Sequence, residues 1–170
     1  MKHKFFYISC FVMICSFIFG YFHFVLSNQT PSNINEKQYY YKTSPHEVIS
    51  KLTDNKRGVY YFGFPSCPWC AEIRPVFNDV LKECTQKSYM VDTKSKELSS
   101  QDYKKLTNFY HKFYKDELTV PFIVSINSRG EVVTHVGTLE GHDARARKLT
   151  KKEVEKLHKL LVNLVKHTKN

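Results

Sequence analysis

The sequence predicts an α/β domain built on a central mixed sheet with helices on both faces. Three observations carry that prediction. Short β-rich apolar runs alternate with stretches whose apolar residues recur at three and four positions. The run Gly58-Val-Tyr-Tyr-Phe-Gly63 is apolar throughout, as a strand covered on both sides must be. Two late strand-like runs are separated only by Asn127-Ser-Arg-Gly130, the spacing of an antiparallel hairpin. The resulting order is β-α-β-α-β-β-α with an extra leading helix, and no internal repeat interrupts it.

Each element has its own signal. Tyr39 to Tyr41 suit a short edge strand. Ser44-Pro45-His46-Glu47 places an N-cap, an N1 proline and an N3 acid ahead of Val48, Ile49 and Leu52, which form one apolar face. Asp54-Asn55 ends that helix. After the strand Gly58–Gly63 comes a loop, Phe64-Pro65-Ser66, and Cys67 opens a second helix. Its apolar face is Ile73, Val76, Phe77, Val80, Leu81 and Cys84, and Pro75 is expected to kink it by removing a backbone donor. Tyr89 to Val91 reads as the next strand. A third helix is expected from a cap near Ser99, with Tyr103, Leu106, Tyr110 and Phe113 on one face. Val120 to Ile126 and Glu131 to Val136 form the hairpin strands. Thr150-Lys-Lys-Glu153 is a capping box for a last helix that buries Val154, Leu157, Leu161 and Leu164.

The N-terminus sets the compartment. Lys2 and Lys4 precede an almost uninterrupted apolar run of 22 residues, Phe5 to Leu26. At about 1.5 Å per residue such a helix spans a hydrocarbon core about 30 Å thick. The run is longer and bulkier than an ordinary secretory signal and lacks a small-residue cleavage site. A signal anchor over residues 1–27 is therefore expected, with cleavage near Ser27 as the alternative. The positive-inside rule puts the remainder outside the cytoplasm, and either reading exports it. Residues 28–43 are polar and read as a linker; residues 44–170 form the domain.

The chain of 170 residues has a formal charge of +10 and a mean hydropathy of −0.42, as a polar domain behind an apolar leader would. Much of the excess charge lies between Arg145 and Lys169, alternating with Leu and Val at helical spacing. That is the solvated face of an amphipathic helix, and no nucleic-acid-binding signature accompanies it.

Five cysteines are present, and Cys10 and Cys15 lie in the leader. Cys67, Cys70 and Cys84 remain, one short of a structural zinc set, so no metal or other cofactor is expected. A structural disulfide across two intervening residues would constrain the unfolded chain little. A C-P-W-C run at the first turn of a helix suits redox chemistry better. Unpaired backbone N–H groups and the positive dipole end favour a thiolate there. Cys67 is the expected nucleophile, with a lowered pKa, and the less exposed Cys70 attacks the mixed disulfide it forms. Pro68 and Trp69 tune the couple, and Trp69 is expected to touch substrate. Cys84 reads as a core cysteine, Tyr61 as core, Glu72 as solvated, and His111, His135 and His142 as surface residues without metal-ligand spacing.

The segment Phe62-Gly-Phe-Pro-Ser-Cys-Pro-Trp-Cys70, with Pro75 five residues on and Val120-Pro121 before a late strand, resembles the thioredoxin superfamily from about Pro45 to Lys166. The leader and the Phe-Gly-x-Pro-x-Cys-Pro-x-Cys pattern further resemble the membrane-anchored bacteriocin transport accessory proteins of Gram-positive bacteria. The superfamily resemblance implies a thioredoxin-like fold, a cis Val120–Pro121 bond beside a Cys67–Cys70 redox disulfide, and Val120 pairing its backbone with substrate. One departure stands out. Thioredoxins carry a buried Asp six residues before the first cysteine, where this chain has Tyr61. Either Glu72 or water then handles the Cys70 proton, or the protein works mainly as an oxidant.

Two functional classes follow. One is an extracytoplasmic thiol–disulfide oxidoreductase acting on cysteine-containing exported polypeptides, recycled by a separate redox partner and held at the membrane by its leader. The other is an accessory module that assists secretion or bacteriocin transport without essential redox turnover.

Overall fold

A computed structural model describes residues 39–170. The expected membrane segment and most of the expected linker lie outside the described residues. No helix among the described residues is long and apolar enough to cross a membrane.

The elements are α1 (Pro45–Thr53), β1 (Gly58–Gly63), α2 (Pro68–Glu83), β2 (Ser88–Asp92), α3 (Ser100–Tyr110), β3 (Phe122–Ile126), β4 (Val132–Val136) and α4 (Lys151–His167). Four strands form one mixed sheet in the order β2-β1-β3-β4. β1 runs parallel to β2 and antiparallel to β3, and β3 pairs antiparallel with β4. Tyr40 adds a single parallel bridge to Ser88 beyond β2, at the expected edge position.

Strand alternation divides the core into two layers. Val59 and Tyr61 of β1 and Ile123 of β3 pack under α2 and α4, against Ile73, Phe77, Leu157 and Leu161. Tyr60, Phe62, Phe122 and Val124 face the other way, against Ile49 and Leu52 of α1 and Leu106 and Phe109 of α3. Every residue of β1 is buried, because this strand has a neighbour on each edge and a helical layer on each face.

Local signals set the helix starts. Ser44, Ser99 and Thr150 each accept a backbone N–H at the N-cap, and Thr150 with Glu153 forms the reciprocal box. α2 runs unbroken through Pro75, whose ring is on the exposed side. The hairpin turn is closed by Gly130 N–H to the Asn127 carbonyl at 3.1 Å, with Gly130 at φ 77°.

Two expected faces are corrected. Tyr103 of α3 is 44% exposed and Phe113 lies beyond the helix end, 41% exposed, while Phe109 and the carboxylate of Asp102 are buried. Asp102 turns inward because it is engaged by the Ser99 hydroxyl at 2.7 Å and by His46 Nδ1 at 3.1 Å. In α4, Val154 lies at the exposed margin of the helix, and Leu157, Leu161, Leu164 and Val165 carry its burial.

Candidate active site

The C-terminal end of β1 leads through Phe64-Pro65-Ser66 directly into α2, which places the C-P-W-C run at a helix start beside the sheet. Cys67 is the N-cap, with extended backbone (φ −82°, ψ 119°), and Pro68 takes N1, where its missing N–H costs nothing. The Cys67 sulfur accepts the backbone N–H of Cys70 at 3.2 Å.

Val120–Pro121 is the cis peptide found among the described residues. It sits against the motif, with Cys67 Sγ donating to the Val120 carbonyl at 3.7 Å. The regular part of the strand accordingly starts at Phe122 rather than at Val120. Cys67, Cys70, Pro121 and the end of β1 thus converge on one end of the sheet.

Both cysteines are free thiols, and both are enclosed: Cys67 is 3% exposed and Cys70 1%. The expected contrast between an open first cysteine and a covered second is therefore slight. Burial, reinforced by its contact with Cys67, pushes the Cys70 thiol up to about 12. Cys84 is buried in the α2–α4 layer, as expected of a core cysteine, and desolvation raises its pKa as well.

Trp69 is half-buried. Its indole N–H donates to the His142 carbonyl at 3.2 Å, and the Arg145 guanidinium lies 5.1 Å from its ring centre. On the other side of the motif Lys94 sits 3.9 Å above the Phe64 ring. Beside Trp69 a groove of about 490 Å³ is lined by Val136, Thr138, Leu139, His142 and Lys156.

Two residues read from the sequence as solvent-facing belong instead to the support of this site. His142 Nε2 contacts Glu72 Oε2 at 2.6 Å, with side chains only 1% and 5% exposed. His135 is half-buried, and desolvation lowers its pKa. His111 is exposed as expected. The signal available for His142 is the length of the β4–α4 connection, residues 137–150, since long structureless connections in compact domains tend to carry function.

Tyr61, expected as a core residue, is buried and stacks on Phe77 with ring centres 5.6 Å apart. Its hydroxyl lies close to Cys70. A Cβ built on Gly63 would lie 2.9 Å from both Tyr61 Oη and Cys70 Sγ, so the two atoms share the space that this glycine leaves open. No group of histidines, cysteines and acids among the described residues is arranged to hold a metal.

The chain matches no protein-family model, and comparison with curated proteins gives no match.

Proposed function

We propose that this chain is a thiol–disulfide oxidoreductase of thioredoxin-like fold, acting on cysteines of exported polypeptides while tethered to the membrane by residues 1–27. One observation carries the reading: the Cys67 sulfur caps α2, receives the Cys70 N–H, and lies against the carbonyl of the cis Val120–Pro121 bond. The mixed α/β sheet with helices on both faces is the frame such a site needs.

The chemistry is an exchange. In the reducing direction the Cys67 thiolate attacks a substrate disulfide, forms a mixed disulfide and expels one substrate sulfur as thiolate. Cys70 then attacks Cys67 Sγ, releasing the second substrate sulfur and closing the Cys67–Cys70 bond. In the oxidising direction the same steps run backwards, starting from the Cys67–Cys70 disulfide. Val120 supports substrate through its backbone, while Pro68 and Trp69 form the lip of the site. An external redox partner resets the couple.

The test is reduction of insulin and oxidative refolding of a scrambled disulfide protein by the full chain. Wild type is expected to accelerate one or both, and Cys67→Ser to lose that activity. Equal activity in the two overturns the reading.

The close burial of both sulfurs favours a second reading, a binding module that assists secretion without turnover. A Cys67→Ser/Cys70→Ser variant that supports secretion in cells as well as wild type would select it.

A further inference from the structure

Cys70 must carry negative charge at one point of either direction of exchange, as attacking or as leaving sulfur. Its surroundings oppose that charge, because it is enclosed and sits behind Cys67. A carboxylate base is the usual expectation for such a position. Glu72, the acid nearest in sequence, does not fill it: one oxygen is on His142 Nε2 at 2.6 Å and the other is 3.6 Å from Lys148 Nζ.

What does face Cys70 is the Tyr61 hydroxyl. It is completely buried and makes no hydrogen bond, to sulfur or otherwise, among the described residues. Orphaned hydroxyls in a packed core are uncommon, and each one calls for an explanation. The polar atom beside this one is Cys70 Sγ, brought close because Gly63 has no side chain. β1 fixes the phenol's position, since Tyr61 pairs with Met90 and Ile123 on its two edges and stacks on Phe77.

Resting on the oxidoreductase reading, we propose that Tyr61 is a catalytic hydrogen-bond donor that stabilises the Cys70 thiolate as it forms and as it leaves. When a substrate thiolate attacks Cys67 Sγ of the disulfide, a new sulfur–sulfur bond forms and the Cys67–Cys70 bond breaks. Its electron pair goes to Cys70 Sγ, which Tyr61 O–H then solvates until water supplies a proton. In reverse, Cys70 gives its proton to water and attacks with Tyr61 holding the thiolate. Burial keeps the phenol protonated well beyond its ordinary range, so it donates and does not act as base. This assigns Tyr61 a role unlike that of a carboxylate, which accepts the proton itself.

The test uses the full chain carrying Cys10→Ser, Cys15→Ser and Cys84→Ala, mixed with an aryl disulfide (dithiobis-nitrobenzoate) that releases one coloured thiolate per exchange. Attack by Cys67 releases the first equivalent, and attack by Cys70 on the mixed disulfide releases the second. Adding Tyr61→Phe removes only a hydroxyl without hydrogen-bond partners among the described residues, so the fold is expected to persist. The first phase should be unchanged and the second slowed about three- to tenfold, because thiolate gained through the donor is partly offset by lower nucleophilicity. An unchanged second phase, or equal slowing of both phases, overturns the role of Tyr61 while leaving the couple intact. Release of a single equivalent by the Tyr61 chain overturns the couple, and the role of Tyr61 with it.

Discussion

His142 Nε2 and Glu72 Oε2 meet at 2.6 Å across 70 positions of sequence, and both side chains are almost wholly enclosed. The pair joins the first turns of α2 to the β4–α4 connection. Because the His142 carbonyl also receives the Trp69 indole, it fixes one wall of the site. The C-P-W-C run is thus held from two sides, by this loop and by the Val120 carbonyl.

Removing one partner from an enclosed pair strands the other. His142→Ala is expected to destabilise the domain by about 2 kcal/mol, the usual scale for leaving an enclosed polar group without its hydrogen-bond partner. Urea denaturation checks the magnitude. Hydrogen exchange should localise the loosening to residues 138–146 and the start of α2. A loss confined to a few tenths of a kcal/mol would mean that the loop is held by other contacts.

Gly63 is required by space. Its backbone does not demand glycine, but a methyl group there would come within 2.9 Å of both Tyr61 Oη and Cys70 Sγ. Gly63→Ala is expected to cost about 1–3 kcal/mol by overpacking and to separate the two groups. Denaturation and the rate of the second exchange phase measure the two effects, and both should fall together.

The raised Cys70 pKa fixes the sign of a pH effect. The folded thiol keeps its proton up to about 12, whereas an unfolded cysteine gives it up near 9.0. Between those values the folded state binds more protons, so stability is held below pH 9 and is lost as pH rises toward 12. Cys70→Ala should flatten part of that alkaline decline. Melting temperatures of the two proteins across pH 8–11, a range of about three units within the window of reversible titration, provide the check. Parallel curves would contradict the assignment.

Much of the frame was legible in the sequence because its signals are local. Ser44-Pro45-Glu47, Thr150-Glu153 and the hairpin turn each act within a few residues, and each lies where it was expected. Cys67 at a helix start is likewise a local feature. The errors came from tertiary contacts. Asp102 displaced Tyr103 from the inner face of α3 because His46, on α1, reaches its carboxylate. The burial of Glu72 and His142 depends on a loop folding back onto α2, and neither residue announces its partner in the sequence. The place of Tyr61 in the core was readable from the apolar run around it, but its relation to Cys70 depends on the space left by Gly63.

The central claim is that Cys67 and Cys70 form a reversible couple, and the most direct measurement is their reduction potential. The full chain is equilibrated in glutathione buffers of graded ratio, and the fraction of Cys67–Cys70 disulfide is read by mass after alkylation. A single two-electron transition is predicted, with a midpoint between about −270 and −120 mV, the range spanned by reducing and oxidising dithiol proteins. Its position in that range tells reductant from oxidant. Two thiols that persist in the most oxidising buffer, or a disulfide that forms through Cys84 instead, would contradict the account.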